Sequence, residues 1–363
     1  VIILLVGERL KNGLMQRFSR NPRLVVGSIV VVLMGLALFV VGRIGQSDVS
    51  DTAPSAGVFE ANLTGDTSGL AGRLFFVEQR AQPNYRIARL DFANRGISTA
   101  FSIPPEALVY QIAPSGNVDE LLLTYSAPPA TGANTYDRNG IYTLNLKTGA
   151  LAQVLGEQAN VYYSYPRQVG NRLVYALYDV DKQSRRVEAY DLPSRTVSVL
   201  ATNAVLPALA PDGLTVAWLS VNPQTQANSL WVSSGGAPVQ LIAETAFPDL
   251  DHPLFSDDGK WVYFSVIETK QAGHVDPFGL GVRPAVAHEM AHGNHNLPAR
   301  WYRVPVTGGK PEALTLEAKP IRAGDLNQEL IGFVSDTGFY IARSQTVTEI
   351  IRSRALGSIA WLP

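Results

Sequence analysis

The sequence predicts an all-β fold, a six-bladed β-propeller with four antiparallel strands per blade, preceded by one transmembrane α-helix. Three observations predict it. Aromatic and β-branched runs of strand length recur at intervals of about 40 to 50 residues, the range of propeller repeats. Tight-turn sequences stand ahead of several of these runs, and a third and fourth strand pattern stand behind them. Outside the N-terminal apolar run and one long insertion, no stretch has the apolar period of a helix of any length.

In chain order, residues 1–23 mix apolar and basic groups, a composition suited to the cytoplasmic face of a membrane. Residues 24–42, LVVGSIVVVLMGLALFVVG, carry no charge and as a helix span about 28 Å, close to a bilayer core. Arg9, Lys11, Arg17, Arg20 and Arg23 precede this run; Arg43 follows it, and then no Lys or Arg occurs until Arg73. That bias places the N-terminus in the cytoplasm and the rest of the chain outside, periplasmic or extracellular, as a single-pass protein of the cytoplasmic membrane. A cleaved signal peptide is the alternative, but its apolar region is typically about 7–15 residues and ends at a small-x-small site; this run is longer and ends in VVGRIGQ. Residues 43–69 are rich in Ser, Thr, Asp, Gly and Ala and read as an extended linker.

From residue 70 to 363 the repeats follow. The strongest strand runs are RLFFVEQ (73–79), ELLLTYSAP (120–128), RLVYALYD (172–179), LTVAWLSV (214–221), WVYFSVIE (261–268) and ELIGFVSD (329–336). Ala113-Pro114-Ser115-Gly116, Ala210-Pro211-Asp212-Gly213 and Ser256-Asp257-Asp258-Gly259 stand ahead of three of them, with Asp and Gly supplying tight-hairpin conformations. Behind the runs come GIYTLNLKTGALAQVL, RRVEAYDLPSRTVSVL, SLWVSSGGAPVQLI, WYRVPVTGGKPEALT and GFYIARSQTVTEII, each a strand, a turn and a strand. The pattern of APDG or SDDG, a strand, a variable loop and then a strand running into a Gly-Gly turn resembles the repeats of TolB-type, WD40-like β-propellers. It does so most closely at 207–242 and 252–315 and more loosely over the whole of 70–363. The resemblance implies the fold; function does not travel with it.

Closure of the ring is legible too. The first copy starts directly with its RLFFVEQ strand and lacks an inner strand ahead of it, while the chain ends in Gly357-Ser358-Ile359-Ala360-Trp361-Leu362-Pro363. Residues 357–362 are therefore expected to pair into the blade that contains 73–103, removing both open edges.

Composition excludes several chemistries. A formal net charge of −1 offers no basic footprint for nucleic acid. The absence of cysteine removes disulfides, thiol nucleophiles, Cys-ligated metals and a lipid-modified cysteine. No GxSxG elbow, P-loop or dinucleotide fingerprint occurs. Asp257 and Asp258 read as turn formers rather than calcium ligands, and the pairs Tyr162-Tyr163 and Trp301-Tyr302 as blade packing rather than a sugar platform.

The insertion, residues 269–299, makes the fifth repeat about twenty residues too long for the period and holds four of the five histidines, His274, His288, His292 and His295. His288-Glu289-Met290-Ala291-His292 fits the HExxH pattern of zinc peptidases, in which two histidines one helical turn apart bind zinc and the glutamate activates water. Catalysis needs a third fixed ligand. Pro298 stands where a metzincin histidine belongs, His295 comes three residues after the pair, and no second long helix offers a glutamate. A non-catalytic metal site on His288 and His292, completed by His274 or His295, asks less, so zinc or another divalent ion is the one cofactor the sequence leaves open; otherwise none is expected. The preferred reading is a docking loop whose apolar contacts are Phe278, Leu280, Val282, Val286 and Met290, because a long insertion in a compact fold is typically functional. The expected protein is a non-enzymatic, membrane-anchored interaction module. It contacts lipid through one helix and other membrane or envelope proteins through the propeller, as an accessory subunit of an envelope complex. A metal-dependent hydrolase and a channel-binding sensor of a ligand or metal are the alternatives.

Overall fold

A computed structural model describes residues 61–79, 85–129, 138–267, 297–343 and 345–363. All of them belong to the second of two compact units, Ala56–Pro363. Among the described residues no helix is long and apolar enough to cross a membrane; the apolar run at 24–42 lies outside them.

The described chain is built of strands. β1 (Asn62–Leu63) precedes the first blade, to which the chain contributes β2 (Arg73–Glu78), β3 (Arg86–Asp91) and β4 (Gly96–Ser102). The second blade is β5 (Leu108–Pro114), β6 (Glu120–Ser126), β7 (Gly140–Asn145) and β8 (Leu151–Leu155); the third is β9 (Val161–Val169), β10 (Arg172–Asp179), β11 (Ser184–Asp191) and β12 (Thr196–Thr202). The fourth is β13 (Ala204–Leu209), β14 (Val216–Val221), β15 (Asn228–Ser233) and β16 (Val239–Ile242). The fifth holds β17 (Asp249–Phe255), β18 (Trp261–Ile267), β19 (Pro298–Pro305), β20 (Glu312–Ala313) and β21 (Lys319–Pro320), and the sixth β22 (Ala323–Asn327), β23 (Leu330–Val334), β24 (Gly338–Arg343) and β25 (Thr346–Arg352). The last strand, β26 (Leu356–Leu362), returns to the first blade, whose order is β26-β2-β3-β4. All six predicted blades are present as antiparallel sheets.

The continuous apolar runs of the sequence are the second strands of the blades, buried on both faces. In β2, Leu74 and Phe76 pack with Phe339, Ile341 and Ile351 of the sixth blade, while Phe75 and Val77 pack with Val109, Leu121 and Leu123 of the second. Side chains alternate across a strand, so a strand sandwiched between two neighbouring sheets has no face left for polar groups. Outermost strands behave oppositely: β12 exposes Val197 and Val199, and its first four residues are all exposed.

The ring closes with both chain ends, as the missing first strand predicts. Arg73 pairs with Leu362, Leu74 with Trp361, Phe75 with Ala360 and Phe76 with Ile359. Gly72 makes the turn into β2 at φ +85°, and a Cβ there would stand 2.1 Å from the Leu362 carbonyl oxygen, so this approach requires glycine. Residues 61–69, which have linker composition, lie against the propeller: β1 adds a fifth strand to the sixth blade, with Asn62 opposite Arg352, and Thr67 is buried. The fourth strand of the fifth blade, expected as one element, is broken into β20 and β21. Between them the Thr315 hydroxyl accepts the Trp301 N–H at 3.1 Å, so a side chain takes the place of a ladder carbonyl.

Candidate functional site

The first strand of each blade faces the axis, and neighbouring first strands touch in the cyclic order β26, β5, β9, β13, β17, β22. They line a narrow central cavity of about 40 Å³, to which Ser358, Ile112, Arg167, Leu206, His252 and Gly324 contribute in that order. Gly324 is there because a Cβ would stand 2.8 Å from the ring of the fully buried Trp301.

Three consecutive first strands share one irregularity. Tyr165, Leu206 and His252 have φ of 51°, 53° and 47°, each precedes a proline, and the strand register breaks at each. The extra residue of a bulge commonly sits near the right-handed helical region, which a following proline disfavours. β5 has its register break in the same place, at Tyr110, without a proline and without a positive φ. Non-glycine residues held this way cost about 1–3 kcal/mol each. Such strain concentrates where a structure positions groups for function.

The charged groups sit at this level. Asp325 is buried, and its two oxygens accept backbone N–H groups, Oδ2 from Trp361 at 2.7 Å and Oδ1 from Leu326 at 3.0 Å. Burial pushes its carboxyl above the ordinary value, opposed by the positive charge of Arg167. Burial pulls the Arg167 guanidinium below its ordinary value, opposed by Asp325. Across the cavity, His252 Nδ1 lies 3.2 Å from Asp251 Oδ2, with both residues buried. The Tyr165 phenol is pushed up by burial and by the Asp251 charge. The closing strand is tied in as well: the Ser358 hydroxyl accepts the Ile112 N–H at 3.0 Å and donates to the Ile112 carbonyl at 3.2 Å.

The candidates from the sequence fall elsewhere. His274, His288, His292 and His295, and the apolar set Phe278, Leu280, Val282, Val286 and Met290, lie within 268–296, outside the described residues. The ends of that segment are described: Ile267 pairs with Asp249, at the start of β17, and with Ala299. The insertion therefore leaves and rejoins the disc at the face where the first strands begin. The chain also enters the ring there, since the Ala61 N–H donates to Glu78 Oε1 at 3.1 Å and Glu78 pairs with Leu356, the first residue of β26. Among the described residues no group of three or more His, Asp or Glu has a metal-holding arrangement.

Asp258 serves its turn, Oδ1 accepting the Ser256 hydroxyl at 2.7 Å and the Lys260 N–H at 3.0 Å, whereas the Asp257 side chain reaches the sixth blade, where Oδ2 accepts the Gln328 N–H at 2.9 Å. Tyr162, Tyr163 and Trp301 are buried and Tyr302 packs against the core, which is blade packing. Sequence reasoning did not single out Arg167, Asp325 or His252, the histidine outside the insertion. The visible signal was an Xaa-Pro pair recurring in the first strands of three successive blades.

No family model and no curated protein matches the chain. Solved structures do. TolB from Acinetobacter baumannii is similar at a TM-score of 0.55 and 15% identity, over 83% of this chain and 68% of that one. A putative TolB from Agrobacterium tumefaciens is similar at 0.51 and 14%, over 80% and 98%. A chain of the nidogen/laminin complex is similar at 0.55 and 12%, over 81% and 99%. At these identities the likeness establishes the β-propeller fold.

Proposed function

We propose that this chain is a membrane-anchored, extracytoplasmic β-propeller that acts as a protein-interaction module, an accessory subunit of an envelope or membrane complex. One structural observation carries the interaction reading. The chain's entry at Asn62 and both ends of the insertion, Ile267 and Pro298, gather on the face where the six first strands begin. A long insertion whose two ends stand on one face of the propeller supports the docking reading. The uncharged run at 24–42 and the basic residues before it support the anchor and its orientation. A propeller of this fold is also part of the nidogen/laminin complex, which makes the fold compatible with such a role.

The test combines topology and association. Protease added to intact spheroplasts is expected to degrade the propeller, and protection until lysis would reverse the orientation. Purification of the full chain in mild detergent is expected to recover a partner that is lost on deleting residues 272–298 and kept in Glu289→Gln. Stoichiometric zinc with peptide cleavage that disappears in Glu289→Gln would replace this reading with a metal-dependent hydrolase.

A further inference from the structure

A guanidinium offers five N–H donors on a rigid planar fork. Among the described residues Arg167 uses that fork sparingly: Nη1 donates to the neighbouring Pro166 carbonyl at a long 3.3 Å, and no carboxylate forms an ion pair with it. Asp325, whose charge acts on it, has both oxygens committed to the amides of Trp361 and Leu326. Arg167 lines the central cavity, where Gln111, Arg322 and Ser358 add polar atoms and Leu206 and Leu254 add apolar wall. Neither Asp325 nor Asp251 lines it. A cation taken partly out of water is normally matched by an anion and by hydrogen bonds to its donors. Here the guanidinium belongs to a residue that lines a cavity.

We propose that the central channel binds a small organic carboxylate, held through a two-bond fork by Arg167 with its apolar body against Leu206 and Leu254. The planar fork matches a carboxylate in geometry. A single negative charge suits the site better than the double charge of a phosphate, because the Asp251 and Asp325 carboxyls adjoin the lining residues His252 and Gly324 in the chain. The strained residues Tyr165 and His252 flank Arg167 and the cavity, so the backbone that shapes this site is held away from its relaxed conformation. The inference stands apart from the anchoring and docking reading, since a ligand in the channel requires neither the membrane nor the insertion.

The experiment is calorimetric titration of the full chain in mild detergent with formate, acetate and propionate, carboxylates small enough for the cavity, each compared with its neutral amide. At least one acid is expected to bind saturably, with its amide weaker by about tenfold or more. Arg167→Met is expected to lose that binding while its melting temperature stays level or rises, because an incompletely paired buried ion is often replaced by an apolar side chain without cost. Arg167→Lys, which keeps the charge without the fork, is expected to weaken binding as well. Absence of saturable binding by all three acids, equal binding of acid and amide, or full binding by Arg167→Met overturns the proposal. Should the Met variant fail to fold, the acid-against-amide comparison and Arg167→Lys decide it.

Discussion

Replacing Trp361 by alanine tests whether the last strand holds the ring shut. The indole is 3% exposed, packs at 5.4 Å from Phe92 and 6.2 Å from Phe339, and donates from Nε1 to the Ala71 carbonyl at 3.0 Å. Truncating a buried tryptophan costs about 3–5 kcal/mol, and the abandoned carbonyl adds to that. At roughly 2–4 °C per kcal/mol for a large domain, the melting temperature should fall by about 10 °C. Deleting Leu356–Pro363 goes further, because Leu356, Ile359, Trp361 and Leu362 are all buried. Their combined loss is on the order of 10 kcal/mol, comparable with the entire stability of a typical domain. The deletion should therefore abolish the cooperative transition, whereas Val197→Ala on the exposed edge strand β12, at 52% exposure, should leave it where it was. The assay is thermal and urea unfolding of the full chain in mild detergent, followed by circular dichroism. A Trp361→Ala midpoint equal to that of the parent, or a cooperative melt after the deletion, would refute closure by pairing of the two chain ends.

Two further outcomes are expected. The Tyr175 hydroxyl donates to Glu188 Oε2 at 2.8 Å, and Glu188, buried and also bonded by Arg186, depends on that donor; Tyr175→Phe should lose about 1–3 kcal/mol in urea unfolding, and a double-mutant cycle with Glu188→Gln that shows no coupling would contradict this. The Lys260 side chain, then the Ser256 hydroxyl and the Lys260 amide, hold the Asp258 carboxyl below its ordinary 3.8. The folded value lies under the unfolded one, so its stabilising contribution is present above about pH 4 and fades as the pH falls towards the folded value. NMR titration should find Asp258 still ionised at pH 3, and an ordinary midpoint near 3.8 would be the contrary result.

The fold was legible because its evidence is local and repeated. Every second strand reads as a continuous apolar run, since two neighbouring sheets bury both its faces, and a turn of fixed type marks several hairpins. Closure was legible by subtraction, a first copy short of one strand and a tail left over. The cavity was not legible in that way. Arg167, His252, Asp325 and Ser358 are scattered over nearly two hundred residues of sequence, and only the cyclic order of the first strands brings them to one axis. No short-range spacing encodes such a set. A partial clue existed in Tyr165-Pro166, Leu206-Pro207 and His252-Pro253: proline is disfavoured inside a central strand unless a bulge accommodates it, so its recurrence at one place in three blades marks bulges. The break in the fifth blade's outer strand depends on a tertiary bond from Thr315 to Trp301 that the repeat pattern does not reveal.

Closure and cavity turn out to be parts of one set of bonds. The closing strand fixes the second blade through Ser358 and Ile112, and its Trp361 amide fixes Asp325, the carboxylate that sets the field around Arg167. The strained residues are distributed in keeping with this. Tyr165, Leu206 and His252 belong to the third, fourth and fifth blades, each made from one unbroken stretch of chain. The first blade, where the seam is non-covalent, has its register break at Gly357 and Ser358, neither of which has a positive φ. Strain of a few kcal/mol at the seam would act directly against the pairing that shuts the ring, whereas on the far side it must work against covalent connections and two flanking sheets. The ring is thus able to hold shaped, strained backbone around its axis because the weak joint has been relieved of it.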